Sequence, residues 1–575
     1  PKHLPMLSKP RPWSAPNKGG YLTFDVNLLR GGGVLQDGAL RNANLSNLFE
    51  GLNAMGETPW CINKPVLNVV KEMWKAGGGK ANLPDRKDLR GPSKPDPKMM
   101  EEDEQMHKRW EAEKAMVETE NANRHSLRCD LELKLGVVER FQDDSFYFPF
   151  NIDFRGRTYP IPPHFNHLGA DVNRGLLLFH EAKPLGDKGM DWLKIHLANL
   201  CGNDKVSFND RVEWVDERLE KVLKVADDPL EHTDLWFEAD DPFQALATCF
   251  EIATATRSGS DVSSFKTKLP THQDGSCNGL QHYAALGRDE FGGAAVNLTP
   301  HDRPQDVYSA VLKLVLEKLA KAEEEGNELA LMLKGVVNRK VVKQTVMTSV
   351  YGVTFIGARD QIRNRLRERK GQMNFTETYD VEGVEEKVTE CSKYLALLTL
   401  HSITDLFNCA KDIMNWLGES ASLITSLNLP VSWVTPMGLP VVQPYRRPTS
   451  YRVNTALQQV TLLDLGDQLP VHNTRHRSAF PPNFVHSLDS THMLLTAIQC
   501  KKEGITYASV HDSYWTHPGT MDRMNKILRD EFIGLYERPI LEELAHSFER
   551  RFPEIEFPPV PARGNLDLQL VRESK

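Results

Sequence analysis

The sequence predicts a mixed α/β protein that is predominantly helical. Residues 303–425 carry a mainly helical pattern of apolar positions. A charged stretch over about 99–141 predicts a long polar helix, of the kind that projects from a protein body or bridges subdomains. Two β-rich segments around turn residues, 429–445 and 504–519, predict hairpins. We therefore expect helices to build most of the chain and short strands to serve local purposes.

Length and charge limit the class of protein. A chain of 575 residues is too long for one small core and indicates several domains or one large enzyme with subdomains. The net charge of −8 argues against a generally basic coat, but it leaves room for a local nucleic-acid groove. Such a local excess occurs between Lys334 and Lys370, where ten lysines and arginines face two acidic residues.

Other compositional features exclude some alternatives. The eight cysteines are scattered without a C-x-x-C pair, which favours neither a zinc site nor a disulfide framework and indicates a reducing compartment. No apolar run approaches the ~18 residues of a membrane helix, so we expect no membrane partner.

The segment RKVVKQTVMTSVYG (339–352) repeats large side chains at every fourth position: Arg339, Lys343, Met347 and Tyr351. On an α-helix these side chains share one broad face and rise together by about 18 Å. Two cations near the helix N-terminus, followed by softer groups, fit a nucleoside triphosphate whose phosphates lie at Arg339 and whose base and sugar lie at Tyr351. The alternative is a solvated basic face beside a core-facing Met347 and Tyr351.

Two aspartates are candidate metal ligands. Asp274 lies where a short β run gives way to small residues and a helix, and Asp512 lies at the bend of a predicted hairpin. Taken singly, each is commonly a backbone-bonded turn residue. Apolar strands leading into both would instead hold two charges in a partly buried sheet, where a cation offsets the cost of burial. Carboxylates without His or Cys ligands favour Mg²⁺, and two such ions could serve an in-line displacement.

Six segments together resemble the motifs of the single-subunit, bacteriophage-type RNA polymerases, in family order. They are D-F-R-G-R-x-Y (153–159), D-W-L-K-I-H (191–196), D-G-S-C-N-G-L-Q-H (274–282), R-x3-K-x3-M-T-x2-Y-G (339–352), P-P-N-F-V-H-S-L-D (481–489) and H-D-S (511–513). The resemblance runs from about Leu4 to the C-terminus and is strongest to the mitochondrial enzymes. It implies a DNA-directed RNA polymerase that transcribes mitochondrial DNA in the matrix, transferring ribonucleoside monophosphates from NTPs to an RNA 3′-OH with two Mg²⁺ ions.

The resemblance also implies roles for the residues of these motifs. Asp274 and Asp512 would bind the metal ions, with the backbone carbonyl of Gly275 as a further ligand. Arg339 and Lys343 would hold the triphosphate, and Lys343 could donate a proton to the leaving pyrophosphate.

Further residues would contact the nucleotide or the nucleic acid. The incoming NTP would meet Met347, Tyr351, Tyr308, His486 and Gly279. The template or the RNA–DNA hybrid would meet Arg155, Arg157 and Tyr159.

The related DNA polymerases are the enzymatic alternative. Their motif A carries a Glu five residues after the Asp, which crowds the sugar 2′ position, whereas this chain has Gly279 there. Tyr351 and His486 offer polar groups that could sense a 2′-hydroxyl, and motif C reads H-D-S in place of H-D-E. These differences favour RNA synthesis. A non-catalytic clamp of the same fold is disfavoured, because a clamp has no use for a metal pair.

The family fold is a cupped right hand of thumb, palm and fingers, with a small antiparallel palm sheet. We expect a lead-in and thumb over 1–150, a palm split between 151–290 and 487–575, and fingers over 291–486. Residues 431–478 fall where the family carries a promoter-reading loop, and the alternative is a mobile basic loop. Its candidate DNA-phosphate contacts are Arg446, Arg447, Arg452, Arg475 and Arg477.

The resemblance finally implies partners and missing parts. The partners would be the DNA template, the RNA transcript, NTPs and mitochondrial transcription initiation and elongation factors. The chain begins at Pro1 and is interpreted as the C-terminal part of a longer protein, without the family's N-terminal domain, so it should extend primers but start poorly at promoters. The end, 563–575, stops where relatives continue into a short aromatic tail close to the active site.

Overall fold

The computed structural model describes residues 3–574 except 32, 95–103, 260, 302, 351, 375–380, 456–457, 465 and 467. Helices dominate these residues, as predicted. The helices are α1 Val34–Leu40, α2 Ser46–Gly56, α3 Lys64–Lys75, α4 Glu104–Phe141, α5 Asp171–Gly175, α6 Gly189–Leu200, α7 Phe208–Asp216, α8 Leu219–Asp227, α9 Asp234–Phe237, α10 Pro242–Arg257, α11 Asn278–Gly287, α12 Glu290–Ala295, α13 Val307–Glu324, α14 Glu328–Leu333, α15 Arg339–Ser349, α16 Phe355–Arg367, α17 Val381–Leu406, α18 Asn408–Ser426, α19 Asn473–Lys502, α20 Met521–Glu537 and α21 Ile540–Arg551.

The strands are short and pair in small antiparallel sheets. They are β1 Arg11–Ala15, β2 Lys18–Gly20, β3 Trp60–Ile62, β4 Phe150–Ile152, β5 Thr158–Pro160, β6 Leu177–Phe179, β7 Lys183–Pro184, β8 Lys266–Thr267, β9 Thr271–Asp274, β10 Ser432–Val434, β11 Pro440–Val442, β12 Thr449–Asn454, β13 Gln459–Asp464, β14 Ala508–Val510 and β15 Ser513–Thr516. Both predicted hairpins are confirmed: β10 pairs with β11, and β14 pairs with β15.

The predicted polar helix is confirmed as α4. Its 38 residues give a length of about 57 Å. Buried apolar side chains lie near its C-terminal end, among them Leu131, Leu135, Val138 and Phe141. The rest of α4 is mostly exposed, as expected for a helix that leaves the protein body. Among the helices that the structure describes, none has the length and apolar character needed to cross a membrane.

One sheet has three strands, in the order β14-β15-β9. Tyr514 and Trp515 of β15 are buried, and the ring of His272 in β9 stacks on Trp515 with centroids 3.9 Å apart. Helix α19, whose residues from Phe480 onward are mostly buried, packs against α2, α18 and α20. Tyr514 Oη lies 3.1 Å from Nδ1 of His492 in α19, so this buried helix supports the sheet.

The proposed division into thumb, palm and fingers stays a prediction. The structure does show that its three boundaries fall inside elements. The boundary after residue 150 cuts β4, the boundary after 290 cuts α12, and the boundary after 486 cuts the continuous helix α19.

Candidate active site

The strand pairing brings the two predicted metal ligands together. Asp274, the last residue of β9, lies opposite Ser513 of β15. The backbone N–H of Gly275 donates to the backbone carbonyl of Asp512, with N and O 3.2 Å apart. Asp274 and Asp512 therefore lie side by side at one end of the sheet, although they are far apart in the sequence.

The turn between β14 and β15 sets the place of Asp512. Val510 pairs with Ser513, so the loop has only two residues, His511 and Asp512. His511 has a φ of 55°, in the left-handed region that side chains other than Gly rarely adopt. Two-residue hairpin loops need such a conformation, and the buried strands on either side hold it.

Charge at this edge favours a bound cation. Burial raises the pKa of the half-buried Asp512 to about 6, and the negative charges of Asp489 and Asp274 act in the same direction. A cation beside Asp274 and Asp512 would relieve this cost. Within the described part of the chain, no group of three or more His, Cys, Asp or Glu could hold a metal ion. An ion here would therefore use two carboxylates and take further oxygens from the Gly275 carbonyl, water or substrate, a set that suits Mg²⁺.

An ion pair with a buried carboxylate supports the sheet end that carries Asp274 and Asp512, called the acidic edge below. Both Nε and Nη2 of Arg157 donate to Oδ2 of Asp489, at 3.0 and 2.6 Å, and Nδ2 of Asn278 donates to Oδ1 at 2.7 Å. Burial would raise the pKa of Asp489, but the charges of Arg157 and neighbouring groups outweigh burial and lower it. Asp489 therefore stays ionised and ties the residue preceding β5 to α11 and α19.

A second cluster joins the predicted template residues to His486. Nε and Nη2 of Arg155 donate to Asp153 Oδ2 at 3.0 and 2.6 Å, and its Nη1 lies 2.7 Å from Nδ1 of His486. Burial, with the charges of Arg157 and Arg155, lowers the pKa of His486 to about 2, so the ring is neutral. Tyr159 meets His511 edge-on, with centroids 5.2 Å apart. The structure thus brings Arg155, Tyr159 and His486 close to the Asp512 turn.

Helix α15 turns its cationic face outward. Val341, Val342, Thr345 and Val346 form its buried side. Lys343 is exposed and Met347 is 43% exposed, so the alternative of a core-facing Met347 is wrong. The Asn338 side chain accepts a hydrogen bond from Val341 N and caps the helix at its cationic end.

The helical repeat was expected to continue to Tyr351, but α15 ends two residues earlier. It ends at Ser349, Val353 N donates to the carbonyl of Thr348, and Gly352 has a φ of 72°. The left-handed Gly352 redirects the chain, which a four-residue repeat read as continuous helix cannot reveal. Tyr351 lies outside the described residues.

Tyr308 connects this helix to the acidic edge. The guanidinium carbon of Arg339 lies 5.1 Å from the centroid of the Tyr308 ring, and Lys343 Nζ lies 5.8 Å from it. The Tyr308 side chain is also hydrogen-bonded to Cys277, three residues after Asp274. Gly279 follows in the first turn of α11, where it is buried. Tyr308 therefore links the cations of α15 to Cys277, in the segment that carries Asp274.

A cavity lies beside both acids. Its lining includes Asp274, Asp512, Gln281, Arg529 and Ser574. Ser574 Oγ donates to the Asn297 carbonyl at 2.7 Å, so residues close to the end of the chain form part of the wall.

Loop 431–478 contains an exposed hairpin and exposed arginines. Arg447, Arg452, Arg475 and Arg477 are exposed, and Arg446 donates to the Leu469 carbonyl at 3.2 Å. The described part of this loop is ordered into β12 and β13, which pair over six residues each.

Sequence reasoning missed three residues that hold the site together. Asp489 stands in the recognised segment 481–489 but received no role. Asp306 looked only like a helix-capping residue and Asn297 only like a polar turn residue. Their partners could not be read from local sequence, because Asp306 pairs with Arg339 and Asn297 bonds to Ser276 and to the backbone of Gln305.

Comparison with known proteins adds the following findings. A family model described as DNA-dependent RNA polymerase matches residues 183–556. A second model, for the N-terminal region of DNA-directed RNA polymerases, matches residues 1–57. We had expected the chain to lack the family's N-terminal domain, but this match shows similarity to part of that region.

Curated relatives match along the whole chain. The mitochondrial DNA-directed RNA polymerase 1B of Nicotiana tabacum is 47% identical, and the chloroplastic/mitochondrial polymerase 2 of Arabidopsis thaliana is also 47% identical. The chloroplastic polymerase 3 of Nicotiana sylvestris is 44% identical. Each alignment covers 100% of this chain and 57%, 56% and 58% of the respective relative. The chain thus spans somewhat over half the length of these relatives.

Proposed function

The chain belongs to the single-subunit, bacteriophage-type DNA-directed RNA polymerases, and on this premise we propose that it transfers ribonucleoside monophosphates from NTPs to an RNA 3′-OH as a DNA template directs. The observation that carries the proposal is the pairing of β9 with β15, which sets Asp274 beside Asp512. Family membership supplies the reaction class, and the pairing supplies a site where the chain could perform it.

The acids would hold two Mg²⁺ ions. When bound, such ions activate the attacking oxygen and stabilise the leaving one in an in-line displacement. The chain's own contribution is to keep Asp274 and Asp512 adjacent, with Gly275 in reach as a carbonyl donor. The Arg157–Asp489 pair holds the segments beneath them and limits their movement.

The cations of α15 would bind the triphosphate. Arg339 and Lys343 would contact the phosphates, and Lys343 would donate a proton to the leaving pyrophosphate. Met347 and Tyr308 would also contact the incoming nucleotide. Positive charge placed where negative charge develops favours the departure of pyrophosphate.

Preference for ribonucleotides would depend on Gly279, Tyr351 and His486. Gly279 brings no side chain into the first turn of α11. His486 is neutral and held by Arg155, so its ring has a fixed orientation and could hydrogen-bond to a sugar hydroxyl.

We propose the nucleic-acid contacts as follows. Arg155, Arg157 and Tyr159 would contact the template or the hybrid. The exposed arginines of loop 431–478 would contact DNA phosphates. Mitochondrial initiation and elongation factors are proposed as partners and the mitochondrial matrix as the compartment, although the relatives include chloroplastic enzymes.

A primer-extension assay tests the function. The 575-residue chain, a primer–template, Mg²⁺ and either NTPs or dNTPs would be combined, and we expect extension with NTPs. Template binding without extension would support a clamp, and extension with dNTPs alone would support a DNA polymerase.

The variant Tyr351→Phe tests sugar selection. It keeps the ring and removes the hydroxyl, so we expect weaker discrimination against dNTPs with extension by NTPs largely retained. Competition between NTP and dNTP measures this, and an unchanged ratio would remove Tyr351 from sugar selection.

A further inference from the structure

The guanidinium group of Arg339 is held along one edge by a carboxylate. Its Nε donates to Asp306 Oδ2 at 2.6 Å, and its Nη2 donates to Asp306 Oδ1 at 3.2 Å. The Tyr308 ring lies against the same group. Burial would raise the pKa of Asp306, but the hydrogen bonds from Arg339 and Ser309 outweigh burial and lower it. The planar group is thus fixed between an ionised carboxylate and an aromatic ring.

The loop that carries Asp306 is itself tied to the acidic edge. Asn297 has a φ of 63°, and its Nδ2 donates to Ser276 Oγ at 2.7 Å and to the Gln305 carbonyl at 2.9 Å. Gln305 N donates back to Asn297 Oδ1 at 2.7 Å. Ser276 is two residues after Asp274, and Gln305 directly precedes Asp306. One side chain therefore spans from the metal-ligand segment to the segment that holds Arg339.

We propose that Asp306, braced by Asn297, is a positioning residue that aims the remaining edge of Arg339 at the phosphates of the incoming nucleotide. The proposal rests on the proposed function. It adds the contacts that set the distance between the cations proposed to bind the triphosphate and the two proposed metal ligands. A guanidinium has more than one edge for bidentate contacts, so the carboxylate on the Nε–Nη2 edge leaves Nη1 and the second Nη2 proton for phosphate oxygens.

Two other roles for Asp306 make different predictions. As the N-cap of α13, it could merely stabilise that helix. As an anion, it could compete with phosphate for Arg339, and its removal would then tighten nucleotide binding. A fixed guanidinium instead loses little conformational freedom when phosphate binds, so removing Asp306 weakens binding.

The variant Asp306→Ser separates these roles, because Ser keeps an N-cap oxygen and loses the bidentate ion pair. We expect the KM for NTP in primer extension to rise about tenfold or more with a smaller change in kcat. In an Arg339→Ala background the same change should alter KM less than about twofold, since Asp306 acts through Arg339. Asn327→Ser, a cap exchange at the start of α14, is the matched control and should leave KM unchanged.

The variant Asn297→Gly tests the brace. Gly accepts the positive φ and removes the side chain, so we expect a KM increase in the same direction and smaller than that of Asp306→Ser.

A lower or unchanged KM in Asp306→Ser would overturn the proposal, and so would an equal KM increase in the Arg339→Ala background. The dissociation constant of Mg·ATP on a template with a 3′-deoxy primer end, measured by calorimetry, provides a readout without turnover. If the wild-type chain extends no primer, the proposed function fails, and this constant still decides the inference. We expect weaker ATP binding in Asp306→Ser, and equal binding would overturn the positioning role.

Discussion

The hairpins β14–β15 and β12–β13 have the same topology but opposite surroundings. Strand β15 is mostly buried and pairs on its other side with β9, whereas every residue of β12 is exposed and β13 is nearly as exposed. The exposed hairpin has the longer ladder, with six residue pairs against three. More ladder pairing therefore does not place a hairpin in the core.

The difference teaches where rigidity comes from. A two-stranded ribbon is at best marginally stable in water, because cross-strand pairs alone stabilise it. The short hairpin gains its fixed position from the third strand and from the aromatic side chains beneath it. Asp512 is therefore on the hairpin suited to hold an ion in place, and Arg452 is on the one suited to adapt to a nucleic-acid surface.

The largest expected effect is on catalysis by the buried hairpin. Asp512→Asn removes one of the two proposed metal-binding charges, so we expect primer extension to fall by at least about 10²–10³-fold. Template affinity, measured by fluorescence anisotropy, should stay near the wild-type value.

Asp464→Asn at the end of β13 is the matched control in the exposed hairpin. It should extend primers at close to the wild-type rate. Near-normal extension by Asp512→Asn would remove Asp512 from the metal site.

The next effect is on stability beneath the buried hairpin. Asp489→Asn removes the buried charge of the ion pair with the half-buried Arg157, so we expect a loss of about 3–5 kcal/mol in the free energy of unfolding. Urea denaturation measures the loss.

Asp360→Asn removes a partly exposed carboxylate that pairs with Arg359 and Arg363 on α16 and should cost less than about 1 kcal/mol. Equal losses in the two variants would show that the Arg157–Asp489 pair has no special structural weight.

The pH dependence of stability tests the surroundings of the buried hairpin. Buried His167 has its Nε2 3.0 Å from the Ser509 carbonyl of β14, and burial lowers its pKa to about 3. The unfolded chain binds the proton first as the pH falls, because its histidine titrates near 6.5. The stability that neutral His167 contributes to the folded protein is fully present above pH 6.5 and is lost as the pH falls toward 3.

The variant His167→Gln removes this titration. Between pH 6.5 and 4, its unfolding free energy should change with pH less steeply than that of the wild type, by about 1.4 kcal/mol per pH unit. Packing lost in the variant lowers stability at pH 8 as well and leaves the slope unaffected. An unchanged slope would contradict the assignment of a neutral, buried His167.

The smallest expected effect is on the exposed hairpin. Arg452→Ala should weaken binding to DNA of any sequence slightly and reduce the slope of log K against log salt by about 0.9, as expected for one phosphate contact. Its cross-strand neighbour Thr461→Ala is the control and should keep the slope. An unchanged slope in Arg452→Ala would show that this arginine does not contact phosphate.

Local patterns predicted much of this architecture. Alternation and turn residues located both hairpins, and helical periodicity located α13–α18. The apolar strands that lead into Asp274 and Asp512 indicated a sheet at each residue, and the family resemblance implied that the two residues meet. The end of α15 was missed because a left-handed Gly352 interrupts a favourable repeat.

The pairs Arg157–Asp489 and Arg339–Asp306 could not be predicted, since no local pattern specifies which distant carboxylate pairs with a given arginine. From the sequence we expected Arg339 to bind phosphate only, whereas in the structure it also pairs with the carboxylate of Asp306.

The most direct test of the central claim is a count of metal ions. Electron paramagnetic resonance would measure Mn²⁺ bound to the chain with a template, a 3′-deoxy-terminated primer and the next NTP. We expect two bound ions in the wild type and the loss of at least one in both Asp274→Asn and Asp512→Asn. The same number of ions with the same affinity in all three proteins would contradict a shared metal site at this sheet edge.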